Sequence, residues 1–104
     1  MTQTEIDSNI SKDNPLRCCE LQGVYETDTL LYQHIYTSIG APNWAGYNLD
    51  ALFDVLTGVI DGPIQIVWKD FQQVEAGKIT MNLTMAALME EAATEHPDLS
   101  FIKT

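Results

Sequence analysis

The segment Pro63-Ile64-Gln65-Ile66-Val67-Trp68 follows the turn signal Asp61-Gly62, and its apolar, β-branched character marks a buried strand. Helical periodicity stands on both sides of it, and that alternation restricts the fold more than any other feature. From Thr27 onward Leu31, Ile35 and Ile39 recur every four residues, with Leu30 and His34 alongside. Thr27 or Asp28 can cap this helix, and Gly40 followed by Pro42 stops it. Asn48 caps a second helix in which Leu49, Leu52, Phe53 and Leu56 follow the i, i+3, i+4, i+7 pattern, and Gly58 ends it. Beyond the strand, Asp70 to Glu75 reads as a short helix ending near Gly77. Thr80 or Asn82 opens a longer one, with Met85, Leu88, Met89 and Ala92 on one face and His96-Pro97 as its breaker.

Arg17 to Leu21, closed by Gly23, and Leu99 to Lys103 supply two further strands. The order is then β-α-α-β-α-α-β. Strands joined by helical crossovers pair in parallel, and the helices cover the sheet. The expected class is α/β, a three-stranded parallel sheet flanked by four helices, in one domain spanning residues 17–104. A chain of 104 residues suits a single core. Residues 1–16, rich in Thr, Ser, Asn, Asp and Lys, read as a flexible tail.

No run approaches the ~18 consecutive apolar residues of a membrane helix, and Met1 to Pro15 holds no apolar signal core. A cytoplasmic protein is expected. Cys18 and Cys19 are the chain's cysteines, and neighbours on a strand face opposite ways, so two reduced thiols follow, one of them buried. Neither has partners at metal-site spacing, and no metal or other cofactor is expected. His34 and His96 read as packing, surface or loop residues. Asn9-Ile10-Ser11 and Asn82-Leu83-Thr84 fit the glycosylation pattern, which means little without secretion.

Fifteen acidic residues face five basic ones, a net charge of −10. Such a surface repels nucleic acid and anionic membranes and attracts basic partners. Between Arg17 and Lys69 there is no Lys or Arg, while Glu20, Glu26, Asp28, Asp50, Asp54 and Asp61 all fall there. Within that stretch Asp50 and Asp54 stand four apart on one face of the second helix, with Thr57 a turn further on. Like charges at that spacing destabilise a helix by a few tenths of a kcal/mol. Asp50 recovers part of this from the helix dipole in the first turn, whereas Asp54 lies deeper. The face is either a solvated acidic surface or a carboxylate pair for a cationic partner. Trp44 and Tyr47, aromatics in the preceding Pro/Asn/Gly loop, favour the second, although Trp44 could equally fold onto the core. A catalytic acid–base pair is the weaker reading, because two acids on one helix face lack the contrast in burial that separates their roles.

The stretch from Pro42 to Gly58, with Asn48-Leu49-Asp50-Ala51-Leu52, Phe53-Asp54 and Leu56-Thr57-Gly58 in order, resembles the signature of the barstar family. Pro63, Trp68, Phe71 and Glu91-Ala92 fall at matching separations, so the resemblance covers about residues 18–103. It implies a cytoplasmic inhibitor that plugs a ribonuclease's active site with the second helix and its preceding loop. Asp54 would take the place of the substrate phosphate among active-site Arg and His residues, and Asp50 and Glu91 would pair with a further arginine. Trp44 stands where the family has a Tyr that packs on the catalytic histidine, and Thr57 and Gly58 match rim contacts. Tyr47 and Asn48 belong to the same loop and cap. Phe53 replaces a Trp, and Val59 replaces an aromatic that often follows the Gly, so the acids are kept while the aromatics vary. The expected partner is a basic, barnase-like ribonuclease or nuclease toxin domain bound one to one, with no direct contact to nucleic acid or membrane. The competing reading is an immunity or adaptor protein of the same fold whose basic partner is not a ribonuclease.

Overall fold

The computed structural model describes residues 16–60 and 62–104. Apart from exposed Leu16, the tail expected over residues 1–16 lies outside them, as do Asn9-Ile10-Ser11 and Asp61. The elements run β1 (Arg17–Gln22), α1 (Asp28–Ile39), α2 (Leu49–Asp54) continued by a π-helical turn (Val55–Val59), β2 (Ile64–Lys69), α3 (Phe71–Gly77), α4 (Thr80–Glu95) and β3 (Leu99–Lys103). The sheet has the order β1-β2-β3 and is parallel throughout, with Cys19 opposite Ile66 and Ile66 opposite Phe101. The expected α/β class, sheet and four helices are those observed.

Register decides which side of the sheet is core. Cys19, Leu21, Ile64, Ile66, Trp68 and Leu99 are buried, and their pairings put them on one face. The opposite face carries Cys18, Glu20, Ser100 and Ile102 exposed and Gln65 and Val67 half-buried. The helices therefore bury one side of β2 fully, and its apolar run is covered on the other only in part. Cys18 and Cys19 are free thiols on opposite faces, as strand geometry requires. Trp68 is fully buried, its indole N–H donates to the Gly23 carbonyl at 2.8 Å, and Phe71 packs edge-on against it.

Helix ends follow their capping chemistry. The Thr27 hydroxyl accepts the Leu30 amide at 3.2 Å to open α1, and Gly40 closes it in the left-handed region at φ 72°. Arg17 donates to the Ile39 carbonyl at 2.8 Å, so β1 supplies the cation that the last turn of α1 lacks. The positive φ is what requires glycine at position 40; a Cβ there would meet only the movable end of the Arg17 side chain, at 2.9 Å.

Three sequence expectations are corrected. First, Gly58 does not end the second helix. The α-helix widens at Val55, and the Ile60 amide reaches the Val55 carbonyl five residues back at 3.2 Å. The extra residue in that turn brings Ile60 into the core and turns Val59 outward. Second, the buried stripe of α2 is Leu52, Val55 and Leu56, with Leu49 and Phe53 half-buried. Third, α4 buries Asn82, Met85, Ala86, Met89 and Ala92, whereas Leu88 flanks that stripe and is half-buried. Asn82 is 1% exposed and both halves of its amide are hydrogen-bonded to Tyr25, so its Asn-X-Thr motif is sealed in the core.

Candidate partner-binding surface

The loop from Pro42 to Asn48 reaches α2 with its shape set locally. The Ala45 amide donates to the Pro42 carbonyl at 3.0 Å, and Ala45 is buried beneath the loop. Trp44 next to it is turned outward and 72% exposed, so it is not folded onto the core. Asn48 ends the loop as the helix cap, its side-chain oxygen accepting the Ala51 amide at 2.8 Å. Asp50 then lies in the first turn, where the exposed amides favour an anion. Asp54 follows at the same face, and both carboxylates are exposed.

Three shallow depressions adjoin one another along this surface. One, of about 470 Å³, runs between the Trp44–Gly46 loop and the Thr57–Val59 turn, with Asp54 on its wall. A second, of about 430 Å³, is bounded by Asp50, Phe53 and Asp54 on α2 and by Leu88 and Glu91 on α4. A third, of about 490 Å³, joins Asp50 and Asn48 to Tyr47 and Asp28. Asp54 is common to the first two, and Asp50 to the second and third. Every site residue expected from the sequence therefore borders one continuous surface: Asp54, Asp50, Glu91, Trp44, Thr57, Gly58, Phe53, Asn48, Tyr47 and Val59. Val59 reaches it because the π-helical turn faces it outward, 38% exposed.

The electrostatics are one-signed. Among the described residues the ion pairs are Lys69 with Glu20 at 2.9 Å and Lys103 with Glu90 at 3.0 Å, and neither involves Asp50, Asp54 or Glu91. The three acids thus face solvent without a counter-ion among the described residues. Exposed carboxylates at such spacing suit cationic, planar donors, above all guanidinium groups, which bind carboxylates through two parallel hydrogen bonds. Among the described residues no group of three His, Cys, Asp or Glu side chains is arranged to hold a metal ion.

Sequence reasoning gave Leu88 no part in the surface; it packs against the core and also walls the acidic depression beside Phe53. It also missed Tyr32 and Tyr36 behind the loop, whose rings pack with each other and with that of Tyr47 at 5.7–6.1 Å. Tyr32 and Tyr36 at i, i+4 on a capped helix were the signal that could have found them.

Comparison with known proteins points the same way. The family model described as Barstar (barnase inhibitor) matches residues 15–101. YrdF of Bacillus subtilis (strain 168), a protein named as a candidate ribonuclease inhibitor, is 38% identical over 48 residues, covering 46% of this chain and 53% of YrdF. The chain thus spans about half the length of that curated relative.

Proposed function

The chain belongs to the barstar family of barnase inhibitors, and from that membership we propose that it inhibits a basic, barnase-type ribonuclease by occupying the active site. The observation that carries the proposal is the exposed set of Asp50, Asp54 and Glu91, without a cationic partner among the described residues, beside the outward Trp44. An RNA-cleaving site is lined by cations that bind phosphate. A surface with a carboxylate where the phosphate would sit competes directly with substrate.

In this reading Asp54 stands in for the substrate phosphate, accepting hydrogen bonds from the nuclease's arginines and histidine. Asp50 and Glu91, from two helices, clamp a further arginine. Trp44 offers an aromatic platform on one side of the groove, and Thr57, Gly58 and Val59 form the opposite rim. Asn48 and Tyr47 hold the loop end, and Phe53 fills the floor between the acids. Inhibition is steric and needs no chemistry from this chain. A one-to-one complex burying about 1,600 Å² in total would be of ordinary size. A cytoplasmic location, expected from the sequence, belongs to the same proposal.

Titration of barnase with the purified chain, followed by cleavage of a fluorogenic RNA, tests the proposal. Stoichiometric loss of cleavage is expected. Undiminished cleavage at excess inhibitor counts against a barnase-type target and favours a basic partner outside the ribonucleases.

A further inference from the structure

Trp44 can serve as a platform only if the loop that carries it keeps its shape, and its own side chain, largely in water, does little to hold it. The restraint comes from α1. Tyr36 is 6% exposed, and its hydroxyl donates to the Gly46 carbonyl at 2.8 Å. Its ring packs against Tyr32 at 6.1 Å and Tyr47 at 5.7 Å, while Tyr47 lies nearly parallel to Tyr32 at 5.7 Å. Two tyrosines one turn apart on α1 thus form a bed on which the loop lays a third. Burial, with Tyr32 and Tyr47 adding to it, pushes the Tyr36 phenol up to about 12, so it remains a donor at physiological pH.

Gly46 is the point at which this bed meets the recognition helix. A Cβ there would lie 2.8 Å from the Asn48 side-chain nitrogen, so the backbone is pressed against the helix cap. The carbonyl that Tyr36 holds therefore sits between Trp44 and Asn48. Behind the loop a recess of about 220 Å³, bordered by Tyr36, Thr37, Pro42 and Asn43, leaves room for the loop to relax if released. A loop already in its bound shape gives up less conformational freedom on association, and that advantage shows mainly in slow dissociation.

We propose that Tyr36 is a positioning residue for recognition: from α1 it sets the Trp44–Asn48 loop in its binding shape, an assignment that rests on the inhibitor reading above. The test is Tyr36→Phe, which keeps the ring and removes the hydroxyl. Amide exchange at Ala45, inside the loop, should speed up about threefold to tenfold, the range one net hydrogen bond is worth, with Ile66 and Trp68 unchanged. Dissociation from barnase should accelerate by a similar factor, with association within about twofold. Tyr25→Phe is the matched control, because its hydroxyl accepts the Gln22 amide at 3.2 Å away from the loop, and it should change neither readout. Wild-type exchange at Ala45, or faster exchange there with unchanged dissociation, overturns the proposal, as does an equal loss of protection in β2. If wild-type protein does not bind barnase, the inhibitor reading fails on its own, and Ala45 exchange still decides whether Tyr36 sets the loop.

Discussion

Asn82 on α4 and Tyr25 in the loop after β1 pair reciprocally: the Tyr25 amide donates to the Asn82 side-chain oxygen at 2.9 Å, and the Asn82 side-chain nitrogen donates to the Tyr25 carbonyl at 2.8 Å. One buried side chain thus satisfies both backbone groups of a residue 57 positions away. Asn82→Ala strands two backbone groups and should cost about 2–3 kcal/mol. Asn82→Asp should cost at least as much, because a buried carboxylate cannot donate to the carbonyl. Urea unfolding of the free protein checks both.

Removing the proposed phosphate mimic should separate binding from folding. Asp54→Ala is expected to weaken inhibition of barnase by at least a hundredfold, about 2.7 kcal/mol, as loss of a charge facing buried arginines does. The free protein should be unchanged or slightly more stable, since a like-charge pair with Asp50 disappears. Unfolding of the variant with retained inhibition would make the carboxylate structural.

Association should slow with salt. Steering of this kind is illustrated by the barnase–barstar pair itself, and a net charge of −10 supplies the field here. Stopped-flow association with barnase should slow by about tenfold or more from low salt to several hundred millimolar, while dissociation changes little.

Gly58 lies within the π-helical turn, has no positive φ, and would place an added Cβ in open space. Nothing in the free fold requires glycine there. Gly58→Ala should stabilise the free protein by about 0.4–1 kcal/mol, chiefly by restricting the unfolded chain. It should also weaken the complex, because the methyl group points to where a partner's surface would lie. Thermal melts and barnase titration report the two effects separately.

Burial raises the Cys19 thiol from 9.0 to about 11, with a hydrogen bond to Ser38 opposing. The unfolded chain therefore loses this proton first as pH rises. Stability from this group is intact below about pH 9 and declines toward pH 11 by up to about 1.4 kcal/mol per pH unit. Tyr36, raised from 10.0 to about 12, adds a loss of the same sign over the next window. Cys19→Ala should abolish the first part of the decline, as read by urea unfolding at pH 8, 9 and 10.

Periodicity carried most of the fold. The three strands and four helices were legible because β-branched runs and apolar stripes alternate with capping residues, and Thr27, Gly40 and Asn48 act where their chemistry requires. The end of α2 was not legible, because Gly58 is a helix stop only in the left-handed region and here continues a widened turn. Leu88 lies at the edge of the buried stripe rather than within it, because a stripe at i, i+3, i+4 can be drawn through Ala86 as well and hydrophobicity alone prefers the larger side chain. The acids of the surface could be read from spacing and local charge. The tyrosine bed was legible only in part: the i, i+4 spacing of Tyr32 and Tyr36 sets their rings side by side on α1, but the carbonyl that Tyr36 meets lies in a loop whose path no spacing encodes.

The surface draws its charge and its contour from different parts of the chain. The carboxylates are carried by regular helix on α2 and α4, whereas Trp44 sits in a loop and Val59 in a widened turn. Substitutions at the last two positions can accumulate without disturbing helix packing or the acids. Under the inhibitory role proposed above, the fit of this surface to a partner can therefore be altered at two exposed side chains while its charge is kept.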